Sequence, residues 1–529
     1  MFSVDDFISG GLIIYSSILL GFVLFLRKVI SAKNLRKLPL PPGPKGLPIF
    51  GNISDLPPTT CVEWQHWLKH KNLYGPISSV TVFGQTVILI HDRDIASELL
   101  DKRSAKYSSR PTMQFASEMI GYKDSTAMME YNDRLRMQRK MVAKQIGSKN
   151  LITKFFPSIE SHVRRFLLQT MNSPQTLHKN LQLEAASFTL DMVYGYQVNP
   201  SGDDPLVNLV TQLMTEFCDA AVAGVWLVDM IPWLKYLPGW FPGAGFKSTA
   251  RRYRATYMQA INTTFDFTEK QMAQGSQKDS YVAGLLYGNP SLAEIKEIKN
   301  SAVALYGGGS DTTVASLSNF FLAMSLYPEV QMKAQREIDR VIGAGRLPDL
   351  HDRENLPYIE AVFSETLRWM PIVPLSLPHA SVEEDEFRGY RIPKGSIILP
   401  SIAWFAIDPA TYKQPESFIP ERFLGPSELD PRKYVFGFGR RICPGRYLAD
   451  ANIFLMIAQS LAAFHIGKAV DLEGKDIEPV VGQLPGIVSH PIPYQCTIRP
   501  RSEKYKELVS RVETEHPLGK GDSEFIEGL

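Results

Sequence analysis

Long apolar patterns at helical spacing, a few short β-branched runs around turn residues, and one uncharged N-terminal stretch lead to one expectation. It is a mainly α protein with small β-sheets, of the α+β class, preceded by one transmembrane helix. The 529 residues are 44% hydrophobic and 11% aromatic, enough to bury a large core, and no compositional shift marks a second domain. The expected organisation is a short segment 1–6, an anchor 7–26, a basic and proline-rich linker 27–46, one large domain 47–500 and a polar tail 501–529 outside the core.

The anchor comes first. Residues 7–26 read FISGGLIIYSSILLGFVLFL, without a charge, about the 20 residues that a helix needs to cross a bilayer. A cleaved signal peptide fits less well, because Asp5 and Asp6 precede the run and no basic segment does. Arg27, Lys28, Lys33, Arg36 and Lys37 follow it, so the positive-inside rule puts the body in the cytosol. Pro39, Pro41, Pro42 and Pro44 then forbid helix and predict a stiff spacer.

Residues 77–82 and 86–90 predict a hairpin around Phe83-Gly84-Gln85, and a second hairpin is expected around Pro393-Lys394-Gly395. Helical spacing fills most of 133–172, 205–223, 250–272, 292–326 and 446–464. Between two of these, residues 228–246 alternate tryptophan, phenylalanine and proline with few charges, a composition suited to a membrane interface. A net charge of +2 with dispersed Lys and Arg argues against nucleic acid as a partner. The four cysteines, Cys61, Cys218, Cys443 and Cys496, include no CxxC pair, so neither a zinc ribbon nor a disulfide framework is expected.

One cysteine stands apart. Residues 436–446, FGFGRRICPGR, set Cys443 in a glycine-rich, arginine-bearing loop directly before an apolar helix. A helix N-terminus offers the positive end of its dipole and free N–H groups, which are expected to hold the thiol as a thiolate. Arg441 is suited to a carboxylate.

The loop resembles the FxxGxRxCxG signature of the cytochrome P450 family at Phe436, Gly439, Arg441, Cys443 and Gly445. That resemblance implies haem b with Cys443 as the axial iron ligand. Glu365 and Arg368, on one face of a helix bounded by Pro357 and Pro371, resemble the family's ExxR, and Arg422 stands in a PERF segment. All three are expected to be structural. Residues 307–313, GGGSDTT, resemble the family's oxygen-groove motif, which implies an opened helix and gives Asp311 and Thr312 the catalytic delivery of protons. Arg136 and Arg139 match two arginines of a haem-contacting helix, although Leu135 stands where tryptophan is usual. Arg136 and His379 are expected on the haem propionates.

The resemblance covers the chain after the anchor and points to a microsomal, fungal branch, similar to enzymes like O-methylsterigmatocystin oxidoreductase. It implies a single-pass protein of the endoplasmic reticulum membrane. O2 is the co-substrate, and electrons come from NADPH through cytochrome P450 reductase, with cytochrome b5 as an optional second donor. Phe115, Met119, Ala304, Leu305, Val373, Leu375, Ile487 and Val488 are the implied pocket positions, all apolar or small. An apolar substrate follows, a terpenoid, polyketide or xenobiotic. A haem-thiolate isomerase or dehydratase, and a membrane haem carrier or sensor, are the competing readings. A dinucleotide-binding dehydrogenase fails because the triglycine at Gly307 lacks the third spaced glycine and the preceding strand.

Overall fold

A computed structural model describes residues 38–58, 61–199, 203–222, 224–425, 428–515 and 519–526. The expected anchor lies outside these residues, and among them no helix is long and apolar enough to cross a membrane. The longer helices are α1 Glu63–Tyr74, α2 Asp133–Ile146, α3 Phe156–Asn172, α4 Leu177–Tyr194, α5 Pro205–Ala220, α6 Phe246–Ala273, α7 Leu292–Leu326, α8 Pro328–Val341, α9 Pro357–Trp369, α10 Arg446–Ala463 and α11 Glu503–Ser510. Helix dominates, as the apolar spacing requires.

The central helix α7 spans 35 residues. It starts at a capping box, in which the Ser291 hydroxyl accepts from the Glu294 N–H while the Glu294 carboxylate accepts from the Ser291 N–H, and it stops before Pro328. Apolar on nearly every side, it is wrapped by α2, α4, α5, α6, α9 and α10. The main core therefore lies around α7, with Phe320, Phe321, Phe166 and Phe454 fully buried in it.

Strands β1 Ile77–Val82, β2 Gln85–Ile90, β3 His379–Ala380 and β6 Ile397–Pro400 form a sheet in the order β1-β2-β6-β3. The first hairpin forms as expected, with Val82 opposite Gln85. The second does not. The stretch before Pro393, β5 Tyr390–Ile392, pairs with β4 Asp385–Phe387, whereas β6 runs parallel to β2. Local turn chemistry set the chain reversal, but the non-local partner β2 captured the strand after it. A third sheet, order β8-β7-β9, joins β7 Phe464–Val470 to β8 Asp476–Ile477 and β9 Cys496–Pro500.

Two terminal expectations are corrected. The proline-rich stretch is no free spacer: Pro42 O accepts from Ser79 N at 2.8 Å, Pro41 O from the Ser79 hydroxyl at 2.6 Å, and Pro39 O from Arg391 N at 2.8 Å. Prolines keep their carbonyls, so the segment edges a sheet without donating. The C-terminal tail also joins the core. Tyr505 and Val509 of α11, with Val512, pack into the main cluster, because apolar residues at i, i+4 and i+7 make one face that the tail's overall polarity hides.

Candidate functional site

The loop before α10 is shaped by two features. Gly439 has φ +51°, and a Cβ there would lie 2.2 Å from the Leu100 carbonyl oxygen, so only glycine fits. Cys443 N–H donates to Phe436 O at 2.8 Å and closes the loop. Cys443 is partly buried at the mouth of α10. Burial pushes its thiol pKa up, against the Gly445 N–H and the charges of Arg139 and Arg446, which pull it down. Of these influences desolvation is the largest, and a bound cation would act in the opposite direction.

The basic side chains on α2 separate the expected roles. Arg134 pairs with Asp124 and Glu297. Arg136, expected at a propionate, is exposed and pairs with Asp133, one helical turn away. Arg139, three residues further on, points inward and donates to Ile442 O at 2.8 Å beside the cysteine. The helical period puts Arg139 on the same side as the buried Leu135 and turns Arg136 away from it. The assignment of Arg136 is corrected accordingly.

Arg441, Arg110 and His379 gather on the other side of the loop. Arg441 donates to the carbonyls of Ser108, Thr126 and Met129. Arg110, which the sequence reading did not single out, donates to Ala127 O, Leu377 O and Pro378 O at 2.8–2.9 Å. His379 uses Nδ1 toward Tyr107 O at 2.8 Å, and since a carbonyl only accepts, Nδ1 carries the hydrogen. Burial pushes Arg441 down to about 9, with Arg139 adding to the shift. Burial first, then Arg441 and Arg139, lowers Arg110, and burial with Arg110 lowers His379 well below the imidazole range. Among the described residues, Arg110, Arg139 and Arg441 make no ion pair with a carboxylate. Buried cations without counter-charge fit a dianionic ligand such as the two propionates of haem.

Glu365, Arg368 and Arg422 form the opposite kind of site. Arg368 donates to both Glu365 oxygens at 2.7 Å, and Arg422 Nε donates to Oε1 at 3.2 Å. Arg368 also donates to the carbonyls of Ala406, Pro415 and Ser417, and Arg422 pairs with Glu428 at 2.7 Å. From there a chain of contacts reaches the cysteine loop. Arg368 lies over the Tyr412 ring, the Tyr412 and Tyr434 hydroxyls are 2.8 Å apart, and Tyr434 O accepts from Gly437 N at 3.0 Å.

Helix α7 supplies the third wall. The glycines do not interrupt it: the helix is continuous, and the Thr312 and Thr313 hydroxyls bond back to Gly308 O at 2.6 Å and Gly309 O at 2.7 Å. The three glycines differ. A Cβ on Gly307 would meet Met214 Sδ at 2.8 Å and one on Gly309 would meet Thr189 Cγ2 at 2.6 Å, whereas Gly308 faces open space. Gly308 is exposed in the middle of a buried helix, and Ala304, Leu305, Asp311 and Thr312 are partly exposed around it at helical spacing. One face of α7 is therefore left open to a group of some size.

Of the other implied pocket residues, Leu375 and Ile487 line one cavity with Ala221, Pro374 and Leu399. A larger one, about 250 Å³, lies between Leu56–Pro58, Cys218–Val222 and Pro485–Gly486. Met119 and Val373 are partly buried, and Val488 is buried. Phe115 is fully buried, its ring stacked on Trp226 with centroids 3.6 Å apart.

Helices wrapped around a glycine-bearing central helix, with a loop cysteine flanked by unpaired buried cations, define the class of haem-thiolate proteins. The chain matches the Cytochrome P450 family over residues 41–498 and belongs to it. It is 47% identical over 486 residues to cytochrome P450 monooxygenase claR of Ampulloclitocybe clavipes, covering 91% of this chain and 90% of that protein. It is 44% identical to cytochrome P450 monooxygenase CLM2 of Gibberella zeae (96% and 98% covered) and 39% identical to O-methylsterigmatocystin oxidoreductase of Aspergillus flavus (97% of each). The protein is a haem-thiolate monooxygenase of the cytochrome P450 family.

Proposed function

We propose that the chain oxidises an apolar secondary metabolite of the terpenoid or polyketide class, or a xenobiotic, with electrons from NADPH delivered by a separate membrane-bound reductase. The observation that carries the site assignment is the set of buried cations without counter-charge beside Cys443. In this reading Cys443 would bind the iron, Arg110, Arg139, Arg441 and His379 would hold the propionates, and the open face of α7 would leave room for the group. Bound haem would supply the reduction of dioxygen. The chain supplies the rest. The glycine loop fixes the sulfur, the Glu365 network holds that loop, and the apolar pocket orients the substrate and excludes water. Asp311 and Thr312 hold and pass protons on the oxygen side, and positioned transfer of this kind is worth about 10²- to 10⁴-fold.

The substrate class rests on the apolar pocket positions and on the relative whose name gives O-methylsterigmatocystin. A membrane setting, single-pass in the endoplasmic reticulum with a cytosolic body, rests on the uncharged run 7–26 and its basic flank. Trp233, Tyr236 and Trp240, each more than half exposed in the 228–246 loop, suit the lipid interface.

The reduced, carbon-monoxide-bound protein should show the red-shifted Soret band of thiolate-ligated haem, and Cys443→His should lose it. Retention of that band in Cys443→His, with loss on changing Cys61, Cys218 or Cys496, would overturn the ligand assignment. Screening the enzyme with its reductase against a compound library, read by mass spectrometry, tests the substrate class.

A further inference from the structure

Asp311 does not stand alone on α7. Its Oδ1 lies 3.0 Å from Nε2 of His490, and each side chain keeps 22% of its surface exposed. An ionised carboxylate only accepts, so Nε2 carries the hydrogen of this bond. His490 is held in place from both sides. Its carbonyl accepts from Leu484 N at 2.8 Å, the adjoining Pro491 bridges to Gln483, and Ser489 N donates to Ile372 O at 2.7 Å. Beyond His490 lies His178, in the first turn of α4, its ring tilted 72° with centroids 6.2 Å apart. His178 is exposed to solvent.

Three neighbouring groups, an exposed imidazole, a half-buried one and a carboxylate next to Thr312, have the order of a proton wire. We propose that His178 and His490 relay protons from solvent to Asp311, with His490 also fixing the Asp311 carboxylate. The inference rests on the proton-delivery reading of Asp311 and Thr312. A proton taken up at His178 reaches Nδ1 of His490 across the span of one bridging water. The proton on Nε2 then passes to Asp311 Oδ1. One proton enters and one leaves, no electrons move along the path, and the imidazole regains its Nε2–H form by exchange with solvent. Imidazole suits the step because it gains and loses a proton near neutral pH.

The other charged or titratable groups at the wire do not compete. Burial pushes the Cys218 thiol, which faces Asp311 from α5, up to about 12, with Asp311 adding to the shift, so it stays protonated. Burial and then His490 lower the His178 pKa, with Asp311 opposing them.

The test uses the full-length holoenzyme with reductase, NADPH and 7-ethoxycoumarin as probe. It reads the peroxide released per NADPH oxidised, a ratio defined whether or not the probe is oxidised. His490→Ala and His490→Gln should both raise the peroxide share, with coupling falling about 10²-fold, the low end for positioned proton transfer. The solvent deuterium isotope effect on NADPH oxidation should grow in both. Glutamine keeps a hydrogen bond to Asp311 but cannot pass a proton. Full rescue by Gln of what Ala loses would reduce His490 to a prop and overturn the relay. Thr312→Ala is the reference: if it raises peroxide while both His490 variants match wild type, the relay fails and the Asp311–Thr312 reading stands. If Thr312→Ala itself leaves the ratio unchanged, that reading fails. Independent of turnover, the ring-nitrogen NMR signals of His490 should show the Nε2–H form in wild type and lose it in Asp311→Asn. Unchanged signals would remove the bond on which the relay depends.

Discussion

Two buried arginine clusters in this molecule are built on opposite terms. Around Glu365, two guanidiniums share one carboxylate, Glu428 takes the spare charge of Arg422, and backbone carbonyls take the remaining donors. Around Cys443, Arg110, Arg139 and Arg441 have carbonyl partners and one another, with no acid among the described residues. The first cluster is complete without a ligand and the second is not. A buried charge is costly unless paired, so a closed network indicates support and an open one indicates binding.

The largest effect should come from breaking the closed network. Glu365→Ala leaves the buried Arg368 guanidinium without a carboxylate and Arg422 with Glu428 alone, and loss of one partner of such a buried pair costs about 3–5 kcal/mol. The expected outcome is little folded protein and no haem incorporation, read by expression yield, thermal melting and the Soret absorbance. A well-folded Glu365→Ala would remove the distinction between the clusters.

Glu184 sharpens the comparison, since it shows what an acid does when its partner is weak. On α4, it has one bond from Asn452 at 3.3 Å, and burial pushes its pKa up to about 7. An acid escapes burial by keeping its proton, which a guanidinium cannot readily do by losing one. The folded value lies above the ordinary 4.5, so folding takes up a proton and stability falls as pH rises from about 4.5 to 7. The full swing is about 3 kcal/mol. Glu184→Gln should flatten that slope in denaturant titrations across the window, and an unchanged slope would show Glu184 to be already ionised.

In the open cluster, Arg110→Met should cost about 1.5–3 kcal/mol of haem binding, the worth of a hydrogen bond to a charged group. It would be read as roughly tenfold or faster haem transfer to apomyoglobin. The smallest effect is expected at Arg136, whose pair with Asp133 is on the surface. Arg136→Ala should change melting and haem transfer by no more than about 0.5 kcal/mol. An Arg136 variant that loses haem faster than Arg110→Met would restore the original assignment.

The sequence by itself determined the helical class, the bounds of the central helix, the first hairpin, the loop around Cys443 and the Glu365–Arg368 pair. Each is written in local signals: apolar period, caps, turn residues and i,i+3 spacing. Tertiary structure decided which arginine of α2 turns inward, because positions three residues apart differ by only about 60° around the helix and only the packing of Leu135 fixes the phase. It decided that β6 joins β2, that the polar tail hides an apolar face, and that burial pushes the Cys443 thiol pKa up. It also brought Arg110, His178 and His490 to the site from segments distant in sequence. None of these three carries a local signal, since a lone arginine or histidine acquires a role only from the charges and carbonyls that folding sets around it.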